Sequence, residues 1–179
     1  MMSLDQNLPS PDGFPHTLEV RGPAATVALG RAFGRLLRGG EVILLYGPLG
    51  AGKTCFSQGL CAELGVQDEV VSPTFTLVNG YAGGRLPVHH LDFYRVEAHH
   101  DLDDIGLPDI LDEVYDGRAV ILVEWPEPAL AALDADEDRL ELLTLPGTTA
   151  DHRIWHLRGV PRLPEKWARL FAEFPACGE

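Results

Sequence analysis

Two short stretches of the chain are apolar at every position, Val42 to Tyr46 and Ala119 to Val123. An unbroken run of this length predicts a strand covered on both faces, as in the middle of a parallel sheet. Around these runs the period changes. From Pro23 to about Leu37, Val27, Ala28, Phe33, Leu36 and Leu37 recur at helical spacing, with Pro23 suited to a first turn and Gly39-Gly40 to a stop. Lys53 to Leu64 predicts a second helix, closed by Gly65. Thr17 to Val20 predicts a short first strand. Phe75 to Tyr81 and Leu86 to Asp92 flank Gly83-Gly84 and predict an antiparallel hairpin. Arg139 to Leu145 and His152 to Leu157, around Pro146-Gly147, predict another, and Pro164 to Phe174 a terminal helix.

Strands alternating with helices imply an α/β fold, with a mixed, mainly parallel sheet flanked by helices and hairpins at its margins. A length of 179 residues predicts one domain, placed over residues 16–175, after a polar, proline-rich, flexible tail over residues 1–15. There is no internal repeat.

Composition narrows the function. A hydrophobic content of 45% is that of an ordinary globular protein. The apolar runs are far too short to span a bilayer, and residues 1–15 lack the basic start and apolar segment of a secretory signal. A cytoplasmic protein without membrane attachment is the expectation. Cys55, Cys61 and Cys177 are odd in number and lack metal-ligand spacing, which fits small hydrophobic fillers in a reducing compartment. The net charge of −13 disfavours extensive direct contact with a nucleic-acid backbone. Cations aimed at phosphate must therefore be few and local, and Lys53 and Lys166 are the only lysines.

One of them lies in Gly47-Pro48-Leu49-Gly50-Ala51-Gly52-Lys53-Thr54, a full match to GxxxxGK[ST] between a predicted buried strand and a predicted helix. The glycines let the backbone approach phosphates closely, and successive amides form a nest for anions. The helix that follows offers its N-terminal N–H groups and positive dipole end to the same charge. Gly47, Leu49, Gly50, Ala51, Gly52, Lys53, Thr54 and Cys55 are the candidate contacts to the phosphates of ATP, with Lys53 on the β- and γ-phosphates and the Thr54 hydroxyl on Mg²⁺.

Such a site needs a carboxylate for magnesium and a group to orient water. Glu124 ends the second apolar run, at the carboxyl end of a buried strand, where α/β sheets bind ligands. Asp92 ends another predicted strand. The pairs His89-His90 and His99-His100 suggest metal ligands, but neighbours on a strand face opposite ways, so surface or packed histidines are the better reading. Asp101, Asp103 and Asp104 lack calcium-loop spacing and suggest a helix start or a solvated run.

Taken in order, Leu49 to Thr54, Ser72-Pro73-Thr74-Phe75-Thr76-Leu77-Val78, His90-Leu91-Asp92-Phe93-Tyr94-Arg95 and Glu124-Trp125-Pro126 resemble the TsaE (formerly YjeE) family. Thr26 and Leu29-Gly30 resemble its first helix, so the likeness runs over about residues 23–126. These are small bacterial ATPases required for threonylcarbamoyladenosine (t6A) modification of tRNA. The resemblance implies a P-loop NTPase fold and a Mg²⁺-dependent ATPase, slow alone, that docks on the TsaB–TsaD pair and sustains its turnover. The tRNA would be held through the complex. It further implies that Glu124 helps bind magnesium, that Asp92 supports metal or water positioning, and that Thr74 lies in a loop sensing the γ-phosphate. With Lys53 these are the candidate catalytic residues, and Thr54, Glu124 and Asp92 the candidate metal ligands. Pro48 stands where the family commonly has an acid and Cys55 where it has Thr, and Arg153 is a further candidate nucleotide contact.

Three alternatives share the cradle. A small kinase would bring a basic lid, yet the stretch from Ala98 to Gly117 is acidic. A GTP switch needs an NKxD-like lysine that Lys166 does not supply. A nucleotide-dependent binding module without hydrolysis has the same motif.

Overall fold

In the computed structural model, which describes residues 8–96, 102–133 and 136–174, the two apolar runs become neighbouring central strands. The elements are β1 (His16–Arg21), α1 (Gly22–Leu36), β2 (Val42–Tyr46), α2 (Lys53–Leu64), β3 (Val78–Tyr81), β4 (Val88–Asp92), α3 (Leu107–Tyr115), β5 (Val120–Glu124), β6 (Arg139–Pro146), β7 (His152–Val160) and α4 (Glu165–Glu173). They build one seven-stranded sheet in the order β1-β7-β6-β2-β5-β4-β3. β6, β2, β5 and β4 pair in parallel, and β1 runs with them, while β7 and β3 run the other way. The mixed, mainly parallel sheet with marginal hairpins is thus the observed architecture. Every residue of β2 and β5 is buried, as continuous apolar runs require.

Alternation along the strands sorts side chains between two cores. Ile43, Leu45, Val120 and Leu122 face α1, α2 and α4, together with Phe33, Phe56, Trp155 and Trp167. Val42, Leu44, Ile121 and Val123 face the opposite layer, with Leu107, Leu111 and Val114 of α3. By the same parity Glu124, two residues after Leu122, projects on the α2 side. Helices α1 and α2 meet almost backbone to backbone. A Cβ on Gly59 would stand 2.0 Å from the Val27 carbonyl oxygen, and one on Gly30 would stand 2.1 Å from that of Phe56. This close seat fixes the amino end of α2 against the sheet.

One strand boundary needs correction. Residues 75–77 are not strand: the chain turns at Thr74–Thr76, Leu77 takes φ 63°, and its N–H donates to the Pro73 carbonyl at 2.7 Å. The hairpin is real but shorter, beginning at Val78 opposite Leu91. The acidic stretch before Gly117 contains α3, which the sequence reading did not mark out, entered through a 3-10 turn over Leu102–Ile105. Asp103 and Asp104 sit in that turn, and His99, His100 and Asp101 lie outside the described residues. Of the expected tail, residues 1–7 also lie outside them, and packing is present before residue 16. Ser10 caps a 3-10 turn over Pro11–Gly13, and Phe14 is buried beneath the Arg158 guanidinium, 4.5 Å from its ring centre. No helix among the described residues is long and apolar enough to cross a membrane.

Candidate functional site

The chain leaves β2 at Tyr46 and turns through Gly47–Gly52 into α2, the position where a phosphate cradle belongs. Gly47 (φ 144°) and Gly52 (φ 101°) take backbone angles that side chains disfavour. A Cβ on Gly47 would also collide with the Thr144 carbonyl oxygen at 2.5 Å. The Thr144 hydroxyl donates to the Ala51 carbonyl at 3.1 Å and ties the loop to β6. Gly52 is the N-cap of α2 and gives no side-chain cap, and the first turn contains no acid. Its amide donors and dipole end therefore meet any anion seated in the loop. Lys53 is buried, and its ammonium donates to the carbonyls of Gly47 (2.7 Å) and Pro48 (3.0 Å), 4.2 Å from the centre of the Trp125 ring.

The acids arrive from the neighbouring strands. Asp92 and Glu124 stand at the carboxyl ends of β4 and β5, and both are buried. Glu124 Oε1 accepts from the Thr54 hydroxyl at 3.3 Å and from His90 Nε2 at 2.9 Å. Asp92 Oδ2 accepts from the hydroxyls of Ser72 and of Thr74, the latter at 2.8 Å, while Oδ1 accepts from the Tyr94 N–H at 2.9 Å. Each carboxylate thus has its own specific donors, as burial demands.

Leu49, Gly50, Ala51, Gly52, Lys53, Thr54, Cys55, Thr74, Asp92 and Glu124 line one cleft of about 440 Å³, and Gly47 sits behind it as an acceptor for Lys53. The structure thus gathers the residues singled out from sequence. At the rim Leu49 is 74% and Phe75 83% exposed, and the Arg95 guanidinium lies 4.8 Å from the Phe75 ring centre. A second cleft of about 300 Å³ shares Gly50, Gly52 and Cys55 with the first and continues towards Thr26 and Arg153. Arg153 donates to the Gly50 carbonyl at 3.2 Å. Another hollow, of about 400 Å³, opens at the amino ends of β2 and β6, but its charges are turned on one another: Lys166 bonds Glu41 at 3.3 Å and Arg162 bonds Asp138 at 3.1 Å.

Sequence reasoning did not select Ser72, His90, Trp125 or Glu127. His90 precedes Asp92 by two, which places both on one face of β4, so period-2 parity was the available signal. Trp125 takes φ 55° on leaving β5, packs 5.0 Å from Tyr94, and returns its ring to Lys53. Burial pushes the Glu127 carboxyl above its ordinary range, opposed by a backbone hydrogen bond and by the charge of Lys53. Cys55 lines the cleft, whereas Cys61 is sealed in the core, its thiol pushed up to about 12 by burial.

No group of three or more His, Cys, Asp or Glu side chains able to hold a metal occurs among the described residues. Two carboxylates and a hydroxyl instead present oxygens beside an anion cradle. That donor set suits a hard divalent ion that keeps waters and shares phosphate oxygens with its ligand.

Comparison with known proteins gives a consistent picture. The sequence profile of the family "Threonylcarbamoyl adenosine biosynthesis protein TsaE" matches residues 20–153. The tRNA threonylcarbamoyladenosine biosynthesis protein TsaE of Streptomyces coelicolor is 39% identical over 143 residues, spanning 78% of this chain and 92% of its own. The protein of the same name from Treponema pallidum is 44% identical over 113 residues, 63% of this chain and 80% of its own. The crystal structure of YdiB from Bacillus subtilis superposes with a TM-score of 0.66 at 28% identity, covering 88% of this chain and 92% of that one.

Proposed function

This chain belongs to the TsaE family of tRNA threonylcarbamoyladenosine biosynthesis, and we propose that it serves there as a magnesium-dependent ATPase. The observation that carries this reading is the hydrogen bond of 3.3 Å between Thr54 and Glu124. It joins the amino end of α2 to the carboxyl end of β5, beside Asp92 and in front of the glycine loop. Nothing in the packing of the two cores asks for a hydroxyl and two buried carboxylates at this point. A phosphate-bound magnesium does.

In this reading the amides of Gly50 to Thr54 and the Lys53 ammonium hold the β- and γ-phosphates, replacing the internal carbonyl contacts of Lys53. Thr54, Glu124 and Asp92 are the residues that would hold Mg²⁺. When bound, the ion neutralises charge building up on the phosphate oxygens. Thr74, bonded to Asp92, sits where a γ-phosphate would compete for its hydroxyl. Asp92 would then be placed to orient the attacking water. The second cleft, continuous with the first at Gly50, Gly52 and Cys55, would receive the nucleoside, with Arg153 at its wall.

The partners are TsaB and TsaD, and the protein works with them in the cytoplasm, where hydrolysis sustains repeated turnover. The net charge of −13 favours an arrangement in which the partners hold the tRNA. The test is phosphate release from ATP and Mg²⁺, with and without TsaB and TsaD. Slow release alone and faster release with the pair is the expected result. No nucleotide binding under either condition would remove the proposal.

A further inference from the structure

The buried histidine behind the acids has no place in the reading so far. His90 is fully buried on β4, on the face that carries Asp92, and β4 and β5 are in register with His90 opposite Leu122 and Asp92 opposite Glu124. Its ring therefore lies one strand-step behind the two carboxylates, with the Tyr81 ring 6.5 Å away on the same side. Nε2 lies 2.9 Å from Glu124 Oε1. A carboxylate only accepts, so Nε2 carries the proton. Nδ1 is buried without a hydrogen-bond partner among the described residues. Filling space alone would favour an apolar side chain here, and only the Nε2–H is put to use.

We propose that His90 is the positioning residue for Glu124. It fixes the carboxylate from behind through Oε1, so that Oε2, to which no hydrogen bond is made among the described residues, is presented to the ion. This rests on the reading of Glu124 as a magnesium ligand. Orientation of a ligating group by a buried donor is the general device of metal sites, and loss of such a donor typically costs roughly 10–100-fold in metal affinity. It also explains the order of residues on β4. The donor must come from the same face as Asp92 and from further inside the sheet, and the residue two before Asp92 is the position that meets both conditions.

The experiment compares H90Q with H90N. Gln carries its amide N–H₂ near the position of Nε2, whereas Asn carries it near Nδ1, where nothing accepts. Both are polar and smaller than His, and the metal-free affinity and thermal midpoint report whatever difference comes from packing alone. Binding of a fluorescent, non-hydrolysable ATP analogue is titrated in EDTA and in Mg²⁺, and the ratio of the two affinities is the metal-linked gain. The expected result is unchanged metal-free affinity in both variants, a gain within about threefold of wild type for H90Q, and a gain reduced roughly tenfold for H90N. Thermal midpoints in EDTA should be similar for the two. An equal effect of both variants, whether none, a shared loss or failure of both to fold, would overturn the proposal, because the place of the donor would then not matter. A wild-type protein that binds the analogue with no metal-linked gain would remove the magnesium reading of Glu124, and this inference with it.

Discussion

Asp92 and Glu124 are register partners on the adjacent parallel strands β4 and β5, so two buried carboxylates stand side by side. Like charges so placed repel in a medium that screens poorly. The structure meets this with donors assigned separately to each: hydroxyls of Ser72 and Thr74 on Asp92, and Thr54 with His90 on Glu124. No lysine or arginine is bonded to either carboxylate among the described residues, and Lys53 is turned to the loop carbonyls. Among the described residues the two acids are met by neutral donors and the imidazole of His90, an arrangement that favours a cation between them and an anionic ligand.

Replacing Glu124 with Gln tests this directly. Gln keeps the volume, and its amide oxygen still accepts from Thr54, but the charge is gone. ATP hydrolysis measured with TsaB and TsaD present should fall at least tenfold, while nucleotide affinity measured without metal stays within a few-fold of wild type, because the glycine loop holds phosphate independently. Hydrolysis at the wild-type rate would take Glu124 out of the metal site.

Lys53 makes the opposite prediction. Its ammonium is the cation inside the loop, and charge-assisted bonds to phosphate contribute roughly 1.5–3 kcal/mol each. Lys53→Ala should weaken ATP binding by about tenfold or more in calorimetric titration. Thermal unfolding serves as a control, since the Gly47 and Pro48 carbonyls lose a donor. Wild-type affinity in a folded variant would sink the assignment of the cradle.

Much of this was legible because periodicity and motif spacing are local. The all-apolar runs marked β2 and β5 as buried strands, and the eight-residue motif marked the loop with its helix. What escaped depends on relations across the chain. Helix α3 hides in an acidic segment, yet its buried residues Leu107, Leu111 and Val114 follow the i, i+4, i+7 pattern, outweighed by the run of aspartates around them. The segment 75–77 has strand-like composition, but Thr74 is drawn to Asp92 and Leu77 into positive φ, so the hairpin starts late. The His89-His90 pair suggested surface or packed histidines, and His90 is fully buried. Its bond to Glu124 appears only once β4 is laid beside β5.

The contact between α1 and α2 gives a stability prediction independent of chemistry. Gly59→Ala gains helix propensity of about 1 kcal/mol, but its Cβ would lie 2.0 Å from the Val27 carbonyl oxygen, and backbone must move to admit it. Overpacking typically costs about 1–3 kcal/mol, so the net effect should be destabilising and visible as a lower urea midpoint. Gly80→Ala, at an exposed β3 position where a Cβ meets nothing within 4 Å, is the control and should be close to neutral. Equal midpoints for the two variants would mean that the helices separate at little cost.

The last prediction concerns partners. The segment from Ser72 to Leu77 is held to the acids by the hydroxyls of Ser72 and Thr74 on Asp92, and it carries Phe75 almost fully exposed at the rim, near exposed Leu49 of the glycine loop. Occupancy of the cleft and the shape of this rim are therefore one local matter. A γ-phosphate and its ion would compete for Thr74 and Asp92, and hydrolysis would return these groups to each other, the usual way a phosphate-sensing loop is ordered and released. A partner that binds the ordered form better shifts the equilibrium by no more than its differential affinity. By linkage the same difference makes ATP tighten docking. Pull-down of TsaB and TsaD should therefore recover more of the pair with a non-hydrolysable ATP analogue than with ADP, and the pair should accelerate phosphate release. Thr74→Val, which removes the hydroxyl at similar volume, should narrow the difference between the two nucleotides while leaving ADP binding close to wild type. Equal recovery in both nucleotide states, with no acceleration, would leave a nucleotide site on this fold but no switch coupled to it.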